Sequence, residues 1–335
     1  MIKVSVVIPV YNGEGYIKRC LDSLIEQTLD SVEVIIVNDG SKDNTLSLLQ
    51  QYQERYPNLF KVFTVVNGGQ GIARNFGAKQ AKGKYLCFID SDDYVHPEML
   101  QKLYDSAENN QSDLVICSYY RVNEQGDILY SEMDKVRNIK INMNTSPWNK
   151  LFLKEKWDKY EIKFSEGLWY EDLEATLTYL LISENISYLK EPLYYYVQRE
   201  NSSINKYDQR IENIFEVTGN IYNFAKKNNV LEKNKQELEY YFIMHLVFGH
   251  LSRCVMEKDL SKRNEYIKRT KVYLKSIFPQ YYQNKYFKMD ELKNDSLGMF
   301  GIKFVGIRAF RYNLYLLFLM MYDIKLKISA DIKRW

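Results

Sequence analysis

Four polar clusters in the first hundred residues could do chemistry: Tyr11-Asn12-Gly13, Asn38-Asp39-Gly40-Ser41, Asn67 to Gly71, and Asp90-Ser91-Asp92-Asp93. The last is the most informative. Three carboxylates within four residues repel one another unless a cation or donor groups compensate them. Oxygen ligands on a loop suit Mg2+ or Mn2+, which takes one or two carboxylates and completes its shell with water and substrate phosphates. The competing duty is N-capping of the helix that starts at Pro97, and Asp93 fits that role. A second acidic pair, Glu171-Asp172, follows Trp169-Tyr170 at the head of an apolar helix. Carboxylates there suit the helix macrodipole, and equally a general base that takes a proton from an attacking hydroxyl.

The elements that must position these clusters repeat one pattern, a β-branched strand followed by a turn and an amphipathic helix. That is the signature of an α/β fold with a mostly parallel sheet and flanking crossover helices. Strands are expected at Val4 to Val10, Val32 to Val37, Lys61 to Val66, Tyr85 to Ile89 and Asp113 to Ser118, with a hairpin around Glu124 to Asp127. In an open parallel sheet, ligands bind beyond the carboxyl ends of the strands, and all four clusters fall there. Turn formation explains any one of them alone; four on one rim imply a site. Further on, the pattern predicts a helix after Pro147, a helix from Glu171 to Ile182 and a strand near Leu193 to Val197. From about Tyr207 the chain reads as helical, which divides it into an α/β domain over 1–205 and a C-terminal helical domain over 206–335.

Composition narrows the class. A hydrophobic fraction of 46% in 335 residues describes a folded chain with a sizeable core. Its four cysteines form no CxxC pair, which argues against a disulfide framework or a thiolate metal site and for a reducing compartment. Met1-Ile2-Lys3 runs straight into the first strand without a signal peptide, so a cytoplasmic location is expected. The net charge of +3 is unevenly spread: seven basic and two acidic residues from Met299 to Trp335 give that segment +5 and leave −2 for the rest. Such a tail suits an anionic surface, and the acidic remainder argues against nucleic acid. Leu314 to Tyr322 is an unbroken apolar run far short of the roughly 20 residues needed to span a bilayer. Flanked by Arg308, Arg311, Lys325 and Lys327, it reads as an interfacial helix that brings residues 303–335 to the inner face of the cell membrane, or as a contact in a homo-oligomer. His245 and His250, five residues apart on an apolar helix, read as packing residues, and His96 carries no assigned role.

Val7-Ile8-Pro9-Val10-Tyr11-Asn12, Val37-Asn38-Asp39-Gly40-Ser41-Lys42-Asp43, Gly71-Ile72-Ala73-Arg74-Asn75 and Phe88-Ile89-Asp90-Ser91-Asp92-Asp93 resemble, in order and spacing, four successive motifs of glycosyltransferase family 2. The resemblance is specific over about the first 100 residues, fainter to residue 205 and absent from the tail. It implies a GT-A fold and inverting transfer of a sugar from a nucleoside diphosphate, usually UDP, assisted by Mn2+ or Mg2+. By that resemblance Pro9, Tyr11 and Asn12 line the nucleoside pocket, and Asp39, beside Gly40, accepts the uracil imide hydrogen. Arg74 contacts the nucleotide, Asp90 with Ser91 serves the ribose or a metal-bound water, and Asp92 ligates the metal. Asp172 is the base on the acceptor hydroxyl and Glu171 binds sugar hydroxyls, with the two roles interchangeable. The stretch from Tyr196 to Ser203, including Arg199 and Ser202, closes over the diphosphate, with Arg199 as the phosphate contact. Pro147 to Lys150 lies near the sugar, where Trp148 either stacks on a pyranose or packs in the core. The implied acceptor is a glycan or lipid-linked glycan of capsular, exopolysaccharide or teichoic-acid type. Neither a membrane span nor a Gln-x-x-Arg-Trp motif is present, so transfer is expected to be non-processive. A sugar-1-phosphate nucleotidyltransferase would need a Gly-rich basic loop where this chain has Tyr11-Asn12-Gly13-Glu14. A basic-tail membrane or nucleic-acid binding module without activity would need basic residues on the sheet as well.

Overall fold

The computed structural model describes residues 1–131, 138–199, 209–254, 259–292 and 297–328. The chain divides into two compact units, Met1–Ile204 and Asn205–Trp335.

Strands β1 (Val4–Val10), β2 (Val32–Asn38), β3 (Phe60–Thr64) and β4 (Tyr85–Phe88) pair in parallel in the order β3-β2-β1-β4. Every residue of β1 is buried, as expected for a strand covered on both faces. One face receives Ile17, Cys20, Leu21 and Leu24 of α1 (Ile17–Ile25), at helical spacing. Helices α2 (Thr45–Arg55), α3 (Gln70–Gln80) and α4 (Met99–Asn110) follow β2, β3 and the short β5 (Tyr94–Val95). The Asp43 carboxylate accepts the Thr45 N–H at 3.0 Å at the head of α2.

Beyond β4 the sheet is mixed. β6 (Leu114–Val122) turns back through β7 (Ile128–Ser131) as the expected hairpin, and helix α5 (Ile139–Asn142) follows. β8 (Lys150–Leu153) runs antiparallel to both β4 and β6, and β9 (Ile186–Val197) runs parallel to β6. Two antiparallel steps restore direction, so the carboxyl end of β9 lies on the same rim as those of β1 to β4. The helix expected after Pro147 is β8 followed by the short α6 (Lys154–Lys159), because Leu151 and Phe152 are fully buried between β4 and β6. The expected α7 (Glu171–Ile182) is present, its apolar length buried.

The second unit is helical: α8 (Asn213–Lys227), α9 (Lys235–Phe242), a π-helical stretch Ile243–His250, α10 (Leu251–Cys254), α11 (Leu260–Ile277), α12 (Met289–Leu292), α13 (Leu297–Arg311) and α14 (Tyr315–Ile328). His250 is buried against Phe215, and burial pushes both His245 and His250 down to about 4, so they are neutral packing residues. No described helix is long and apolar enough to cross a membrane.

Candidate active site

The four clusters lie at the carboxyl ends of β1, β2, β3 and β4. Tyr11 is exposed, and Asn12 takes a left-handed conformation, φ 49°, that lets its Oδ1 accept the Lys42 N–H at 2.8 Å. Pro9, inside β1, is buried opposite Val37. The Asp39 carboxylate is held from one side: Gly68 N–H donates to Oδ1 at 2.8 Å, while Gly69 N–H and the Asn67 amide donate to Oδ2 at 2.9 and 3.3 Å. A carboxylate has about four acceptor positions, so one remains for a further N–H donor. Gly40 turns the chain at φ +66°, where a Cβ would stand 3.0 Å from the Asn67 N.

Arg74 of α3 is 2% exposed and bridges the donor rim to α7. Its guanidinium donates to Asp90 Oδ1 at 2.7 Å and to Glu171 Oε1 at 3.2 Å. Gln70 completes the group, donating to Glu171 Oε1 at 2.5 Å and accepting from Arg74 at 3.4 Å. Arg74 thus lies beneath the two carboxylates, tied to both. Gly71 permits the junction, because a Cβ there would stand 2.8 Å from Ser165 O and 3.2 Å from Glu171 Cγ. Asn75 fixes the loop ahead of α7, accepting the Phe164 N–H at 2.9 Å and donating to the Phe164 carbonyl at 2.8 Å.

Asp172 is partly exposed beside this buried pair. Its Oδ1 accepts the Leu173 N–H at 2.7 Å. Burial, with the Glu171 charge second, pushes its carboxyl up to about 7 against the pull of Arg74. A carboxylate near neutrality at a cleft can accept a proton from a hydroxyl and release it to water. The geometry separates the two acids: Glu171 is occupied by Arg74 and Gln70, and Asp172 is available.

The Asp90 to Asp93 loop divides in the same way. Asp90 is tied to Arg74, and Asp92, with its side chain 41% exposed, faces outward beside Arg199, whose Nε lies 3.9 Å away. Arg199 stacks on Tyr16 at 4.0 Å and lies 3.8 Å from Glu124. The expected Ser202 lies outside the described residues. Ser91 is buried. Asp93 is no helix cap: fully buried, it accepts the Tyr194 Oη–H at 2.7 Å and the Val197 N–H at 2.8 Å. Tyr194 Oη in turn accepts the Asp90 N–H at 3.2 Å, so β9 is fastened to the loop at three points. Ahead of α4, whose N-cap residue is Glu98, His96 Nδ1 accepts the Glu98 N–H at 3.2 Å.

Among the described residues no group of three or more His, Cys, Asp or Glu is placed to hold a metal ion. The donor set nevertheless fits an open Mg2+ or Mn2+ site, in which Asp92 and Asp90 would supply a minority of the oxygens and a diphosphate the others. Burial and the Asp90 charge hold the Asp92 carboxyl above its ordinary range, an imbalance a divalent cation would relieve.

Trp148 is no sugar platform: 4% exposed, it stacks between Tyr194 at 4.5 Å and Tyr196 at 5.5 Å. Lys150 is buried too, its ammonium on the Ser146 carbonyl at 2.7 Å and Asn149 Oδ1 at 2.6 Å. Gln70, within the Asn67 to Gly71 cluster, and Tyr194 carry no individual role in the sequence reading. Gln70 is flanked by two glycines, Gly69 and Gly71, at a strand-to-helix turn, and that flank was the available signal.

A parallel half-sheet with a carboxylate rim, extended by a mixed half and flanked by helices, is the GT-A architecture of sugar transferases. The comparisons with known proteins agree. The family model for glycosyl transferase family 2 matches residues 5–164. A putative glycosyltransferase, EpsH, of Bacillus subtilis is 33% identical over 261 residues, 72% of this chain and 74% of that protein. The poly(ribitol-phosphate) beta-glucosyltransferase of Bacillus spizizenii is 31% identical over 82% of this chain but only 45% of its own length. The crystal structure of S. aureus TarS 1-349 in complex with UDP-GlcNAc superposes with a TM-score of 0.73 at 25% identity, covering 93% of this chain and 92% of that one. This chain belongs to glycosyltransferase family 2.

Proposed function

We propose that this enzyme transfers a hexose or N-acetylhexosamine, with inversion, from a UDP-sugar to a hydroxyl of a cell-surface glycan acceptor of capsular, exopolysaccharide or teichoic-acid type. The observation that carries the mechanism is Asp172, a partly exposed carboxylate held near neutrality and joined through Glu171 and Arg74 to the Asp90 loop. The UDP-GlcNAc complex of TarS and the poly(ribitol-phosphate) relative support the donor and acceptor classes.

In this reading Asp39 uses its remaining acceptor position for the uracil imide, with Pro9, Tyr11, Asn12 and Gly40 forming the base and ribose wall. Asp92, assisted by Asp90, would hold Mn2+ or Mg2+, which supplies charge neutralisation for the leaving diphosphate. Arg199, stacked on Tyr16, is placed for a phosphate oxygen. Ser91 supports the loop from within. Asp172 orients the acceptor hydroxyl and takes its proton as the sugar–oxygen bond forms, and Glu171 positions Asp172 and the donor hydroxyls. The domain boundary near residue 205 would separate this machinery from a helical unit. The basic tail from residue 303 is proposed to meet the inner face of the membrane, with the enzyme in the cytoplasm. The test is a donor screen with UDP-glucose, UDP-galactose, their N-acetyl forms and GDP-mannose in Mn2+, scoring nucleotide release. Absence of turnover with every donor, together with unchanged UDP binding by Asp92→Ala in Mn2+, would overturn the reading.

A further inference from the structure

Six exposed large apolar residues are gathered between 305 and 321: Val305, Tyr312, Leu314, Leu317, Met320 and Met321. The faces of α14 sort them. Tyr315 and Leu319, one turn apart, are buried, and Tyr315 Oη donates to the Val247 carbonyl at 2.6 Å. Leu314, Leu317 and Met321, at 53, 59 and 60% exposure, follow the same helical spacing on the opposite side. Tyr312 belongs both to this apolar surface and to a cavity of about 90 Å³ lined with Tyr282, Phe287, Ile307, Arg308 and Arg311.

Arg308 and Arg311 are one turn apart on α13. Among the described residues neither pairs with a carboxylate. Arg308 lies over Phe304 at 3.3 Å and Arg311 over Tyr282 at 4.0 Å. Cations in a last helical turn commonly answer the helix dipole. Here the Lys271 ammonium already takes the Phe310 and Arg311 carbonyls, at 3.1 and 2.7 Å, and Asn313 Oδ1 at 2.6 Å. Among the described residues, two guanidiniums therefore line a concave wall without a carboxylate partner, next to an apolar helix face.

We propose that the Arg308–Arg311 cavity binds the phosphate of an anionic phospholipid headgroup while Leu314, Leu317, Met320 and Met321 enter the headgroup–acyl boundary. This rests on the membrane contact put forward for the tail and goes beyond it by assigning a headgroup site. Guanidiniums suit a phosphate because their fixed donors match its oxygens. Residues 299–321 carry no carboxylate, so a self-complementary contact through this stretch would set the arginines of one copy against those of the other uncompensated, and charge favours lipid.

The experiment sediments the full-length protein with vesicles of phosphatidylglycerol mixed into phosphatidylcholine, and with phosphatidylcholine alone. A cation close to an anionic surface contributes about fivefold in partitioning, so Arg308→Gln/Arg311→Gln should lose about 30-fold on the anionic vesicles and nothing on the neutral ones. Leu317→Gln/Met321→Gln should weaken both. Both pairs lie on the surface, so their thermal melts and lipid-free nucleotide release should match wild type, which reads the transferase separately. Equal binding of wild type and the arginine variant to anionic vesicles would overturn the headgroup site. Indifference of wild type to every vesicle would overturn the membrane contact as well. A wild-type dimer in sedimentation velocity that Leu317→Gln/Met321→Gln converts to monomer, with vesicle binding unchanged, would assign the face to a second copy instead.

Discussion

Replacing Asp172 by Asn should make the protein more stable and inactive at once. The folded site raises this carboxyl from the ordinary 3.8 to about 7. Between those values the folded state binds a proton that the unfolded state has released, so stability falls as pH rises from about 4 to about 7 and is level above. At about 1.4 kcal/mol per unit, the ionised carboxylate costs the fold at most about 4 kcal/mol at pH 8. Asp172 is partly exposed, and solvent screening brings the expected effect to about 2 kcal/mol. Asn is close in shape, keeps an oxygen for the Leu173 N–H and cannot ionise. Thermal melts at pH 5, 6, 7 and 8 should show Asp172→Asn above wild type by about 4–8 °C at pH 8, with a smaller gap at pH 5. In parallel, transfer should fall by at least about a hundredfold with UDP binding retained. The wild-type acid limb of kcat/KM should lie near pH 7, since the base works ionised. A variant that melts at or below wild type at pH 8, or that still turns over, refutes both the strained carboxylate and its role.

Arg74→Ala leaves the Asp90 and Glu171 carboxylates without their shared cation and should cost about 3–5 kcal/mol in urea unfolding. Tyr194→Phe removes one of the two donors to the buried Asp93 and should cost about 1–3 kcal/mol, with a higher donor KM in Mn2+ as the Asp90 loop loosens. Equal donor KM in mutant and wild type would reduce Tyr194 to a packing residue. Gly71→Ala drives a methyl against Ser165 O and Glu171, and a shift of about 1 Å in α7 should lower kcat by ten- to a hundredfold with UDP affinity nearly unchanged.

How far the sequence disclosed this site follows from the range of the forces involved. β1 and β2 are written mostly in Val and Ile, interrupted by Ser5, Pro9 and Glu33, because both faces are buried, and the clusters at their ends are written in turn chemistry. Both signals are local. β8 carries no such signal: Lys150 to Leu153 is four residues long, and its state is set by β4 and β6, distant in sequence. Tyr194 is one of three consecutive tyrosines, and nothing local distinguishes the one under Asp93 from Tyr195, stacked on Tyr94 at 4.5 Å, or Tyr196, stacked on Trp148. Arg74 could be picked out by its motif, yet its burial could not, because that depends on Glu171, 97 residues further along.

That separation bears on how the protein is made. The Asp90 loop is tied to Tyr194 across 104 residues, and Arg74 to Glu171 across 97. On the ribosome, β1 to β4 emerge and can pair while β8, α7 and β9 are still to be synthesised. Until β8 arrives the growing sheet has an open edge at β4, and until β9 arrives the acidic loop has no buttress, a state prone to misassociation. Activity should therefore switch on abruptly late in translation, and chains ending before Val197 should yield insoluble protein instead of a weak transferase.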